Sequence, residues 1–155
     1  MTSSLINSNT GVFVPTRKAT AAWEGGLRGG KGSFKTESGQ VGGSYGFGSR
    51  FEESPGSNPE ELIAAAHAAC LSMALSGGLE KAGKPATRVE TEAACTVEKV
   101  DGGFKITRMK LVVRATVPGM DQAAFAAAAE AAKNGCPVSN ALKGNVAFEL
   151  DAKLE

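Results

Sequence analysis

The segment "NPEELIAAAHAACLSMALSGGLEKAGKP", residues 58–85, constrains this chain more than any other. Asn58 suits a helix N-cap, Pro59 the first helical position, and Glu60 and Glu61 place negative charge in the first turn, with Glu61 at capping-box spacing from Asn58. Gly83 and Pro85 supply a stop, so a helix is predicted from 59 to about 82. Small residues at 64–66, 68, 69 and 74 let another backbone approach closely, which puts this helix at the centre of the fold. Its apolar run, 62–75, is interrupted by His67, Cys70 and Ser72 and falls short of the roughly 20 residues needed to cross a bilayer.

The flanking sequence has different periods. Residues 1–16 are rich in Ser, Thr and Asn without periodicity, so an arm over 1–17, frayed or contributing one pairing strand, precedes a domain over 18–155. Residues 19–53 hold half of the chain's 20 glycines between short apolar and polar segments and read as an antiparallel meander. After the helix, "RVETEAACTVEKV" and "FKITRMKLVVRATV" form a hairpin through Asp101-Gly102-Gly103. The alternation Ile106, Met109, Leu111, Val113 is imperfect but strand-like. Asp121 caps a second helix that Gly135 ends, a short helix starts at Pro137, and "NVAFELDAKL" is a last strand. The order of elements is that of an α+β class domain, and 155 residues suit one domain.

Charge excludes some functions. Lys+Arg 17 against Asp+Glu 16, with both signs scattered, leaves no footprint for nucleic acid or a membrane surface. The N-terminus does not read as a signal peptide, and a soluble cytoplasmic protein is expected. Three cysteines without a secretory signal argue against a structural disulfide framework and leave at least one thiol free.

Two of those thiols stand in positions that suggest chemistry. His67 and Cys70 are i,i+3 neighbours sharing a face with Ile63, Ala66, Met73 and Ala74. The helix alone leaves Cys70 as small buried filler, the usual fate of free cysteine. Cys136, directly before Pro137 at a helix N-terminus, stands where unpaired N–H groups favour a thiolate. The two could form a redox pair if the fold brings their Cα atoms within about 7 Å. Cys95 lies mid-strand and reads as packing. A thiolate needs a cation or donors: His67 is one candidate, although a lone His on an apolar face is more often a core residue, and Arg50, among aromatic and apolar neighbours, is the other. Glu60 precedes Cys70 by ten residues, about 15 Å of rise in a straight helix. If both serve one site, the helix breaks or Glu60 reaches Cys70 of a second subunit, and a two-fold dimer would create two such sites.

The motifs "GKGSFKTESG", "YGFGSRFE", "NPEELIAAAHAACLSMALS", "KVDGGFKIT", "VPGMD" and "GCPVSNALK" together resemble the OsmC/Ohr family of thiol-dependent peroxidases, and "AAHAAC" is similar to its OsmC branch. The resemblance runs from about Lys18 to the C-terminus and leaves the arm unmatched. It implies an OsmC-like fold in an intertwined homodimer that reduces organic hydroperoxides without metal, haem or flavin cofactors. It makes Cys70 the peroxidatic and Cys136 the resolving cysteine, with Arg50 stabilising the thiolate and Glu60 holding Arg50. The peroxide would oxidise Cys70 to a sulfenic acid, Cys136 would condense with it to a disulfide, and an external dithiol, a lipoyl protein or a thioredoxin-like partner, would reset the pair. Phe47, Phe51, Ile63 and Met73 are candidates to line an apolar substrate pocket, and His67 has no assigned role. Two alternatives stand beside this reading. A structural Cys3His zinc site is weakened by the absence of any CxxC pair, and a ligand-binding stress protein would carry inert thiols.

Overall fold

The structure, a computed structural model, describes residues 5–6 and 11–155. The chain parts into two compact units, 1–58 and 59–155, with the boundary inside the stretch 18–155 that the sequence reads as one domain. The expected arm over 1–17 lies partly outside the described residues. Within it β1 (Leu5–Ile6) pairs antiparallel with β2 (Phe13–Val14).

In the first unit β3 (Ala19–Glu24), β4 (Lys31–Thr36) and β5 (Gly42–Tyr45) form the expected antiparallel meander. Tyr45 lies across from Gly32, where an added Cβ would stand 2.4 Å from the tyrosine ring, so only glycine admits the ring. Trp23 and Phe34 meet the same ring at centroid distances of 5.5 and 6.3 Å. The meander ends earlier than the sequence suggests, because "FGSRF" is not strand but a helical turn, α1 (Phe47–Phe51). Ser49 causes this: its Oγ accepts from Gly46 N at 2.9 Å and lies 2.7 Å from Ser57 O as donor, a local network that competes with strand pairing. The i,i+4 rings of Phe47 and Phe51 then meet at 5.2 Å. Among the described residues, none of the fully buried hydrophobic side chains belongs to this unit.

The second unit holds that core. It comprises α2 (Pro59–Lys81), β6 (Arg88–Val100), β7 (Gly103–Thr116), α3 (Gln122–Gly135), α4 (Pro137–Leu142) and β8 (Ala147–Leu154). α2 runs unbroken for 23 residues, long and apolar enough by length and composition to cross a membrane. Its Leu71, Leu75 and Leu79 are nevertheless buried on the sheet, which is the place of a core helix. Gly83 ends it at φ +72°, with Lys84 N donating to Leu79 O and Gly83 N to Glu80 O, both at 2.9 Å, a Schellman arrangement.

β6 and β7 form the hairpin, and β8 adds parallel to β7 rather than antiparallel, so β7 is central. The uneven spacing from Ile106 to Met109 has its cause here. Register shifts at Thr96/Val97 leave Thr107 as the extra residue of a bulge, and alternation resumes beyond it with Met109, Leu111, Val113 and Ala115 all buried. Against that face lie the three α2 leucines with Phe125 and Ala129 of α3. Asp121 Oδ1 accepts from Ala124 N at 2.8 Å and caps α3 as expected.

Truncating Leu79, which is 0% exposed, leaves a void under α2 that the sheet cannot fill. Leu79→Ala should destabilise the chain by about 3 kcal/mol. Asp121→Ala should cost about 1 kcal/mol through the lost cap. Urea unfolding checks both.

Candidate functional site

The joint between α3 and α4 builds the site. A single residue, Cys136, separates the helices, serving as C-cap of one and N-cap of the next with φ −67° and ψ 124°. Pro137 imposes this, since the residue before a proline is driven out of the helical region into extended backbone. Cys136 is therefore fixed in direction by its neighbours on both sides, and its side chain is completely buried.

From the facing helix α2 comes Cys70, only partly buried. The Sγ atoms of Cys70 and Cys136 lie 3.0 Å apart, in hydrogen-bonding contact, and both thiols are free. On α2 the buried residues His67, Leu71, Leu75 and Leu79 form one stripe, while Ala65, Ala66, Ala69 and Met73 form an exposed apolar one. At 100° per residue Cys70 falls at the seam between them. One sulfur can thus meet solvent while its partner cannot.

The two thiols differ electrostatically as well. Burial raises the Cys70 pKa, as does its hydrogen bond with Cys136, against a smaller opposing effect from Val138 N–H. Burial also pushes Cys136 up, but the Cys70 hydrogen bond, the backbone and hydroxyl of Ser139, and Val138 N–H outweigh it and hold Cys136 below its ordinary value. The N–H groups opening α4 fall short of a full side-chain capping bond to Cys136 yet still favour its anion. The contacts within the chain therefore push the Cys70 thiol up and hold Cys136 down. For Cys70 to ionise first, a cation must come to it.

The remaining predicted residues are placed as follows. Arg50, on α1, is exposed, with its guanidinium 5.1 Å from the Phe51 ring centroid, and Arg28 stands over Phe47 at 4.6 Å. Glu60 is buried in the first turn of α2, ten residues from Cys70 on an unbroken helix, so the helix-break explanation of their separation is removed. Ile63 packs partly on the core. Met73 is 78% exposed and lines a hollow of about 240 Å³ with Ser72, Ser76 and residues 86–89, which Cys70 does not line. Cys95 packs at the core edge as expected; burial and then the charge of Glu60 push its thiol up, a neighbour invisible in sequence. Among the described residues no group of three or more His, Cys, Asp or Glu side chains gathers as a metal site would require.

Two residues were missed. Ser139, buried, stands with its Oγ 2.7 Å from His67 Nε2, and Phe148 of β8 meets the His67 ring edge-on at 5.6 Å. The available signal for Ser139 was its position three residues after Cys136, where an N3 side chain folds back toward the N-cap.

Residues 51–151 match the family model described as OsmC-like protein. The chain is 47% identical over 138 residues to peroxiredoxin OsmC of Escherichia coli (strain K12), covering 88% of this chain and 96% of that protein. It is 36% identical over 97 residues to the organic hydroperoxide resistance protein of Xanthomonas axonopodis pv. citri, 61% of this chain and 66% of that one. Its fold is similar to the crystal structure of the organic hydroperoxide resistance protein OhrB of Bacillus subtilis, with a TM-score of 0.70, 29% identity, and coverage of 88% of this chain and 98% of that one.

Burial lowers the His67 pKa, so the folded chain takes up this proton less readily than the unfolded chain, whose imidazole titrates near about 6.5. The stability tied to neutral His67 is fully present above that pH and is lost as pH falls from there through the folded-state value. Urea midpoints should therefore decline on acidification below about pH 6.5, and His67→Gln should flatten that decline.

Proposed function

The chain belongs to the OsmC-like family and is a thiol peroxidase, and on that premise we propose that it reduces organic hydroperoxides through a Cys70 sulfenic acid and a Cys70–Cys136 disulfide. The observation that carries this reading is the pairing, at 3.0 Å, of one partly exposed sulfur with one wholly buried sulfur. Peroxide can reach only the exposed member, and the buried one is already in place to resolve it. The Cys70 thiolate attacks one oxygen of ROOH, the O–O bond breaks, and the alkoxide leaves as ROH after taking a proton. Cys136 then displaces hydroxide from the sulfenic sulfur, and a disulfide forms with loss of water. Contact at 3.0 Å must shorten to the roughly 2.05 Å of a bond, a small movement. A dithiol reductant, a lipoyl protein or thioredoxin-like partner, restores both thiols by exchange.

Arg50 supplies the cation that Cys70 lacks in a single chain, and its guanidinium offers donors to the departing alkoxide. Glu60 holds that guanidinium. Since Glu60 and Cys70 are about 15 Å apart along an unbroken helix, the pair reaches Cys70 from a second subunit. The first unit supports the same assembly: with no fully buried hydrophobic side chain among the described residues, it exposes Val12, Phe13, Val14, Leu27 and Val41, apolar surface that a second copy would cover. The open apolar stripe of α2 beside Cys70 supports it too. Phe47, Phe51, Ile63 and Met73 are then assigned to the lining that favours alkyl hydroperoxides, and the protein works in the cytoplasm.

Substitution separates the two cysteines. Cys70→Ser should abolish turnover, whereas Cys136→Ser should consume one equivalent of cumene hydroperoxide and stall. Thiol titration after one equivalent should show two thiols lost per chain, leaving Cys95. Full activity in the Cys70→Ser protein would sink the assignment.

A further inference from the structure

A buried imidazole is an expensive choice for a helix whose neighbouring inward positions are leucine. His67 is 0% exposed, and its Nδ1 is, among the described residues, the one buried side-chain nitrogen or oxygen with no hydrogen-bond partner. Such an orphan destabilises the fold, because a polar atom taken out of water is left without a partner. What offsets it lies on the other side of the ring, where Nε2 meets Ser139 Oγ at 2.7 Å while Phe148 packs edge-on and holds the ring plane. Ser139 is the N3 residue of α4, whose N-cap is Cys136, so its hydroxyl stands on the turn that carries that sulfur, where it favours the Cys136 anion.

The tautomer follows from counting hydrogens. If Nδ1 carried the proton, the Ser139 hydrogen would be spent on Nε2, a buried N–H would be stranded, and Cys136 would lose its hydroxyl donor. With the proton on Nε2, the imidazole donates to Ser139 Oγ, the Ser139 hydrogen is left for Cys136, and only a lone pair is unpaired. That arrangement strands no buried N–H and leaves the Ser139 hydroxyl hydrogen free to turn to the sulfur.

We propose that His67 is a positioning residue for disulfide formation: its Nε2–H donates to Ser139 Oγ and so turns the Ser139 hydroxyl onto Cys136, holding that sulfur as a thiolate facing Cys70. The proposal rests on the reading of Cys70 and Cys136 as the reacting pair. In the step it serves, the Cys136 thiolate attacks the sulfur of the Cys70 sulfenic acid. The S–O bond breaks, an S–S bond forms, and hydroxide leaves and is protonated to water. The thiol proton of Cys136 has gone to solvent beforehand. Cys136 is oxidised, the sulfenic sulfur is reduced, and no further oxidant is needed. The middle of α2 brings Cys70 and His67, its other titratable groups, Glu60, Glu61, Glu80 and Lys81, lying at the helix ends, and α3 brings Glu130 and Lys133, which pair at 2.6 Å. α4 brings only the Ser139 hydroxyl, and β8 brings Phe148.

The test reads Cys136 alone, by the ultraviolet thiolate absorbance of a Cys70→Ala, Cys95→Ala chain titrated with pH. Adding Ser139→Ala or His67→Leu should move the Cys136 titration to higher pH. His67→Gln, whose amide N–H can replace Nε2–H, should leave it in place. In the chain with all its cysteines, Ser139→Ala should slow disulfide formation after one equivalent of cumene hydroperoxide roughly tenfold, with first-equivalent consumption unchanged. An unmoved titration in Ser139→Ala overturns the proposal, as does an equal shift in His67→Gln and His67→Leu. Ser139→Ala removes only one oxygen, so it keeps the test valid should His67→Leu fail to fold. A chain that consumes no peroxide would overturn the peroxidase reading instead, because the titration does not depend on turnover.

Discussion

The ridge of Leu71, Leu75 and Leu79 on the face of β7 fixes the rotation of α2 about its own axis, and everything at the site depends on that rotation. A leucine ridge at i,i+4 spacing seats against Met109, Leu111, Val113 and Ala115 in one way only. Given that seating, His67 must point inward to α4 and β8, Cys70 must lie at the seam, and Met73 must face out. A turn of α2 by one residue would put Ala66, Cys70 and Ala74, or Ala68, Ser72 and Ser76, where His67 and the leucines now seat. The placement of a thiol is here a by-product of hydrophobic packing several residues away.

The second constraint is local. Pro137 leaves Cys136 little choice but extended backbone, and a helix on either side leaves its side chain little choice of direction. A flexible α2 opposite a fixed Cys136 would separate the sulfurs; a seated α2 keeps them in contact. The asymmetry between them also comes from this geometry. Cys136 meets the first N–H groups of α4 and the Ser139 hydroxyl, whereas Cys70, on the middle of a long helix, has no orphan N–H groups of its own. The contacts within the chain therefore favour the anion at Cys136 over Cys70.

Arg50 sits on a helical turn that Ser49 creates in a unit with no fully buried hydrophobic side chain among the described residues, and Glu60 is buried at the far end of the helix that carries Cys70. An unbroken α2 and a first unit in need of cover are two independent reasons to look for a second copy. They concern different residues and different physics, one a helical rise and the other exposed apolar surface.

Much of this was readable without coordinates. Caps, proline and glycine positions at Asn58 to Glu61, Asp121 and Gly135 to Pro137 act within one turn of chain, so the limits of α2, α3 and α4 and the 88–116 hairpin are written locally. The motifs around Cys70 and Cys136 likewise carry the family. What the sequence could not decide were matters between elements: the parallel β8, the bulge at Thr107, the helical turn at 47–51, the charge of Glu60 beside Cys95, and the partner of His67. The histidine shows why most clearly. On the helix it is one polar residue on an apolar face, more often a core residue than a catalytic one, and its partner is a hydroxyl 72 residues away that only the packing of α4 on α2 brings to 2.7 Å. Sequence settles what is decided by neighbours along the chain; tertiary structure settled which lone polar groups meet, because that depends on how apolar faces seat.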